Sequence, residues 1–257
     1  MEYVLENINL KNILRFFAIL ILLLVVIFIT IVSNKKPTDF IIIDESCILT
    51  KKGNKWLQIK ELDENILSKK YTLVSKNQIK NNVKINYTKD SNLWTYFDNQ
   101  YNDLNSKDVL AAYTKKFNKL KVADYSTSYY DENDDEILMK ALGDDYSNIN
   151  KGFIFKYSYD LDNDGTTEII YTITGQSLSA EDYNSKSTIF LVKNGEVVGK
   201  FDNDDSPYRI ISIVDLDGDG FFEVVVNKGD IDMSYFDSCY QIYNFKNGKI
   251  NRLMGCN

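Results

Sequence analysis

Two stretches of the chain carry carboxylates at a spacing that suits a hard cation. DLDNDGTTE (Asp160–Glu168) and DLDGDGFFE (Asp215–Glu223) each place aspartates at positions 1, 3 and 5, glycine at 6 and glutamate at 9. Carboxylates this crowded repel one another, at ~1 kcal/mol per pair for ~4 Å in water and more near a protein surface. A bound cation turns that repulsion into affinity. Alternate aspartates can aim three side chains at one point, the glycine permits a sharp turn, and position 7 offers a backbone carbonyl. The expected ligands are Asp160, Asp162, Asp164, the Thr166 carbonyl and Glu168 in one loop. In the other they are Asp215, Asp217, Asp219, the Phe221 carbonyl and Glu223. An all-oxygen, flexible, highly charged set favours Ca2+ at two sites, with Mg2+ or Mn2+ behind it. An EF-hand is the obvious competitor, but position 12 holds Tyr171 and Val226 instead of an acid, and the flanks read as strands. A metal-free Asp/Asn/Gly turn is the plainer alternative. It explains one such loop better than two copies with the same acid spacing.

Composition removes other chemistry. The chain has no histidine, so Ser-His-Asp, Cys-His and His-ligated metal sites are excluded. Three scattered cysteines do not make a soft-metal site. A net charge of −7 and the lack of a basic cluster argue against nucleic acid, whose phosphates need Lys and Arg. Catalysis by carboxylate, Lys or Tyr stays open. At 257 residues the chain holds one domain or two small ones.

The elements around the loops read as β-strands. FIFKYSY (Phe153–Tyr159), TIFLV (Thr188–Val192), YRIISIV (Tyr208–Val214) and CYQIYNF (Cys239–Phe245) are rich in β-branched and aromatic residues. The loops form part of a repeat. Asp160 and Asp215 lie 55 residues apart, and the Asn-Gly pairs at 194 and 247 lie 53 apart. Each unit reads strand, acidic loop, strand, polar link, strand, Asn-Gly turn, strand. Asn-Gly suits a two-residue type I′ turn, in which both positions need positive φ. TKKGNKWL (Thr50–Leu57) carries a similar hairpin signal. The fair helix candidate is DENDDEILMKALG (Asp131–Gly143), whose acidic start reads as a solvated helix N-terminus.

The hairpin on Asn247-Gly248 pairs residues whose numbers sum to 495, so Cys239 should face Cys256 directly, close enough for a disulfide. A disulfide implies an oxidising compartment. Two reduced thiols facing by coincidence is the alternative, and Cys47 reads as a buried small residue.

Asp-x-Asp-x-Asp-Gly-x-x-acid between two strands resembles the calcium loop of FG-GAP/VCBS repeats, found in integrin α-subunit propeller blades and in many bacterial surface proteins. The resemblance covers about residues 151–256. It implies a calcium-stapled β domain displayed outside the cell, with the loops as structural calcium sites. Two units are too few for a propeller, which usually has four to eight blades. Either residues 39–150 supply degenerate blades, or two units form a smaller β assembly.

The N-terminal segment is different in kind. FFAILILLLVVIFITIV (Phe16–Val32) has no charge, at the short end of the ~17–25 residues that span a bilayer. Its length and the absence of a small-residue cleavage pattern favour an uncleaved anchor over a signal peptide. Lys11 and Arg15 before it and Lys35 and Lys36 after it leave orientation to the domain. The organisation expected is a tail at 1–12, a transmembrane anchor at 13–33, a β-rich region at 34–150 with one short helix near 131–142, and two repeats at 151–205 and 206–257. The fold class is mainly β, in repeated four-stranded antiparallel units behind one N-terminal transmembrane helix.

These readings point to a non-enzymatic, single-pass membrane protein. Its N-terminus would be cytoplasmic and its calcium-binding domain extracellular, where it meets a protein or glycan ligand or serves in the envelope. The alternative is a carboxylate- or metal-dependent surface hydrolase of glycans or phosphoesters. Glycosidases need two acids ~5–10 Å apart, but the loop acids all serve as ligands. DNDD (Asp202–Asp205) reads as a solvated turn after a hairpin.

Overall fold

The computed structural model describes residues 10–33, 37–43, 47–60, 62, 64–75, 78–88, 93–97, 103–104, 109–173, 187–204, 208–228 and 239–255. It divides into two units, Met1–Pro37 and Thr38–Asn257. In the first, one helix, α1 (Leu10–Ser33), contains the apolar run. Its side chains are described over residues 14–27, where Leu14, Phe16, Phe17 and Ile19 to Ile27 are all exposed. Among the described residues, no helix is long and apolar enough to cross a membrane.

The second unit is mainly β, with three antiparallel sheets and no closed barrel among the described residues. The first sheet is built from β1 (Ile41–Ile43), β2 (Cys47–Lys52), β3 (Lys55–Gln58), β4 (Tyr71–Ser75), β5 (Ile79–Thr88), β6 (Leu93–Phe97), β7 (Asp103–Leu104) and β8 (Val109–Tyr113), in the order β3-β2-β1-β8-β4-β5-β6-β7. A short helix, α2 (Glu64–Leu67), precedes β4. The second sheet is β10 (Ser126–Tyr129), β11 (Ile154–Tyr159), β12 (Glu168–Ile173), β13 (Ser187–Lys193) and β14 (Glu196–Asp204), side by side in chain order. The third is β18 (Lys249–Met254), β17 (Cys239–Lys246), β16 (Glu223–Lys228), β15 (Tyr208–Asp215) and β9 (Lys121–Val122). The segment before the repeats thus supplies a fifth strand to each repeat sheet: β9 pairs with β15 and β10 with β11.

Side-chain alternation decides how the sheets stack. In β16, Val225 joins one core with Ile211, Leu216 and Ile242, together with Ile41, Ile43 and Leu49 of the first sheet. Val224 and Val226 join another core with Ile213 and Tyr243, together with Ile170, Ile189 and Leu191 of the second sheet. Successive strand residues point to opposite faces, so an unbroken Val-Val-Val run belongs to a sheet buried on both sides. The third sheet is therefore the middle layer. Two further cores cover the outer faces. One packs Ile66 of α2 on Ile42, Tyr71 and Val83. The other packs Leu138 and Ala141 of α3 (Asp135–Leu142) on Tyr171, Ile173 and Phe190.

Two sequence readings are corrected. The acidic run before α3 is not simply solvated: Asp134 is buried and binds the Lys156 ammonium at 2.8 Å and the Tyr171 hydroxyl at 2.8 Å. Asp131 caps the same turn, its carboxylate accepting from Asn133 N–H while its own N–H donates to Asp134. Lys156, on the face of β11 opposite Phe155 and Tyr157, reaches both acids, so the run docks the helix on the second sheet. DNDD is not a turn, because Asp202 to Asp204 continue β14, paired with Ile189, Thr188 and Ser187; Asp205 lies outside the described residues. The register expected for the hairpin of Cys239 and Cys256 holds near its turn. The sum of 495 holds from Lys246↔Lys249 to Tyr243↔Arg252, and a bulge then shifts it at Ile242↔Met254. Cys239 is disulfide-bonded, and Cys256 lies outside the described residues. Cys47 is buried and free, and burial pushes its thiol well above its usual range.

The Lys156–Asp134 contact gives a test. Removing one partner of a buried ion pair leaves an uncompensated charge and typically costs ~3–5 kcal/mol, whereas replacing both with apolar groups is often nearly neutral. Urea unfolding of Lys156→Ala should therefore show a loss of about 3 kcal/mol, and Lys156→Met with Asp134→Leu should regain most of it. An additive loss in the double variant would contradict the pairing.

Candidate metal centres

Each acidic loop is the turn between two paired strands: Asp160 follows β11 and Glu168 opens β12, while Asp215 ends β15 and Glu223 opens β16. The second loop residue is a core leucine in both copies. Leu161 and Leu216 are fully buried, in the cores on the two faces of the third sheet. That pins the start of each loop while its polar residues arch outward. The loops also meet: Phe222 N–H donates to the Leu161 carbonyl at 2.8 Å, and Tyr159 packs edge-on against Phe222.

The acids hold their own loops in the same way in both copies. Asp160 accepts from the N–H groups of Asp164 and Gly165; Asp215 accepts from those of Gly218, Asp219 and Gly220. Asp164 accepts from Thr166 N–H, and Asp219 from Phe221 N–H. The position-9 glutamates fold back to the second residue, Glu168 onto Leu161 N–H at 2.7 Å and Glu223 onto Leu216 N–H at 2.9 Å. Gly165 and Gly220 have φ near +90°, which favours glycine at position 6. At position 4 the copies differ. Asn163 takes positive φ in the first loop, while Gly218 does so in the second, where a Cβ would collide with Lys119.

Not all the expected ligands converge. Oxygens of Asp160, Asp162 and Glu168 lie within 4.8 Å of one another, as do those of Asp215, Asp217 and Asp219. Asp164 and Glu223 stand outside these two groups. Thr166 and Phe221 sit at the loop exits, with their N–H groups turned to the position-5 aspartates. Tyr171 and Val226, at position 12, are buried strand residues, which removes them as ligands. The oxygen-only donor sets fit a hard divalent cation.

Sequence reasoning missed the lysines. Lys193 Nζ contacts Asp162 at 2.9 and 3.0 Å, Asp164 at 2.8 Å and Glu168 at 2.6 Å, the last as an ion-pair contact without hydrogen-bond alignment. In the second loop Lys51 meets Asp217 at 2.8 Å, and Lys246 meets Asp219 at 3.0 Å while lying over the Phe221 ring. The signal for Lys193 and Lys246 was available, since both precede an Asn-Gly turn. Lys51 comes from the first sheet and had none.

The two buried glutamates differ in consequence. Burial opposes the charge on Lys193, but its bonds to Asp164, Glu168 and Asp162 outweigh that and raise its pKa, so the ammonium stays charged. Glu168 is raised by burial, with Lys193 and the Leu161 N–H offsetting only part of it. Glu223 is pushed up to about 8 by burial, helped by Asp217, Asp219 and Asp215, against the Leu216 N–H. Among the described residues no cation touches Glu223 or Asp215.

The fold and site together define a layered antiparallel β protein with two acidic strand-loop-strand clips. No protein family, curated protein or solved structure matches the chain.

Glu223 predicts a pH dependence of the metal-free protein. A carboxyl whose folded pKa exceeds its unfolded value binds its proton more tightly when folded. Its stabilisation is present below the unfolded value near 4.5 and is lost as pH rises through about 8. In EDTA, stability should fall across that window at up to about 1.4 kcal/mol per pH unit. Glu223→Gln should flatten the fall. A profile unchanged by Glu223→Gln would remove Glu223 as its source.

Proposed function

We propose that the protein is a membrane-anchored, calcium-binding surface module of the FG-GAP/VCBS type that binds a protein or glycan outside the cell. One observation carries the choice of binder over enzyme: all eight loop acids already have partners within the fold. Asp160, Asp164, Glu168, Asp215, Asp219 and Glu223 accept backbone N–H groups, and Asp162 and Asp217 bind lysines. Acids occupied in shaping a loop are poorly placed to move protons on a substrate.

The anchor reading draws on the apolar run within α1, and the extracellular placement on two independent features. Weak calcium sites fill at millimolar extracellular Ca2+, and the disulfide at Cys239 wants an oxidising space. The N-terminus is then cytoplasmic.

A cleft of about 620 Å3 suits the ligand role. Leu110 and Ile211 line it, each the extra residue of a β-bulge, and so do Ser212 of β15 and Asp124, Tyr125 and Thr127 where the chain passes from the third sheet to the second. Bulges re-aim side chains and gather beside functional sites. An aromatic ring beside hydroxyls and one carboxylate is a surface on which a sugar can stack and hydrogen-bond.

Melting the full-length chain in detergent tests the metal reading. Ca2+ at ~100 times its dissociation constant adds about 2.7 kcal/mol, which raises the melting temperature of a unit this size by about 5–10 °C over EDTA. No shift at millimolar Ca2+ would sink it. Passage over immobilised cell-wall polysaccharides and surface proteins tests the role. Retention without turnover, lost in Tyr125→Ala, supports a binder, and release of cleaved product supports the hydrolase.

A further inference from the structure

The two loops share a sequence but not an electrostatic state. In the first, one ammonium lies against three carboxylates at 2.6–3.0 Å, the arrangement a divalent ion would otherwise make. It is not a rim contact, since the Lys193 side chain is 16% exposed and Glu168 fully buried. In the second loop, Lys51 and Lys246 each reach one oxygen, on Asp217 and Asp219, whose side chains are 38% and 41% exposed.

Strand register is the cause. Lys193 pairs directly with Glu168 across β13 and β12, which sets its stem beside the buried carboxylate. In the other repeat Glu223 pairs with Asn244, and the lysine before the turn, Lys246, stands two residues further along β17. At ~3.3 Å per residue its stem is roughly 6–7 Å further along the strand. This displacement leaves a neutral Asn244 where the first repeat has a cation.

We propose that the Lys193 ammonium is the resident cation of the first loop, so that the chain takes up one divalent ion, in the second loop, rather than two. This deepens the calcium reading and rests on it. An ion entering the first loop must expel an ammonium held by three carboxylates. One entering the second displaces two exposed ion pairs, which are weakly held, and gains Asp215, which converges with Asp217 and Asp219 and which no cation touches among the described residues.

Calorimetric titration of the metal-stripped full-length chain with Ca2+, checked by equilibrium dialysis, reads the stoichiometry. The expected counts are one ion for wild type, one for Asp164→Asn, none for Asp219→Asn with Glu223→Gln, and two for Lys193→Gln. If Lys193→Gln does not fold, the Asp164 and Asp219/Glu223 variants still assign the ion to a loop. Two ions in wild type, or one that survives Asp219→Asn with Glu223→Gln, overturns the proposal and leaves the calcium reading standing. No ion in either wild type or Lys193→Gln overturns both.

Discussion

Buried carboxylates at the roots of two outward loops are the constraint on which the rest depends. Glu168 and Glu223 open the strands that leave the loops, and each folds back onto the N–H of the loop's second residue. A charge with so little water needs compensation. The strands on either side must be rigid enough to hold it in place. The first repeat meets the need from its own hairpin, through a lysine in register with the glutamate. The second does not, and Glu223 is left with a carboxyl pushed up to about 8.

Rigidity comes from the layers. The third sheet lies between the first and second, so β15 and β16, from which the second loop springs, are packed on both faces. Lys51 reaches that loop from the first sheet, and the Phe222–Leu161 hydrogen bond joins it to the first loop. The second loop thus lies at a point where all three sheets converge. The helix α3 caps the outer face of the second sheet through a different electrostatic device, the Lys156 contact with Asp131 and Asp134.

Much of the β architecture was legible because its signals are local. Asn194-Gly195 and Asn247-Gly248 both adopt positive φ, and the strands beside them are where alternation and β-branched runs put them. The core leucines of the loops were legible in principle, since an apolar residue between two aspartates has no reason to face water. What could not be read was register-dependent. A bulge near Ile242 moves the pairing of β17 with β18 by one residue, which no local signal announces. Asp134 looked solvated because its partners, Lys156 and Tyr171, are 22 and 37 residues away in sequence.

The sequence by itself determined the period-two strands, the type I′ turns, the acid spacing and the absence of histidine chemistry, because each depends on neighbours within a few residues. Only the tertiary structure decided that the third sheet lies in the middle and that β9 and β10 complete the repeat sheets. It alone separated two nearly identical loops into one closed by Lys193 and one left to its acids. Those outcomes turn on which strand faces which and in what register, and a shift of two residues in strand pairing moves a charge by more than the length of an ion contact.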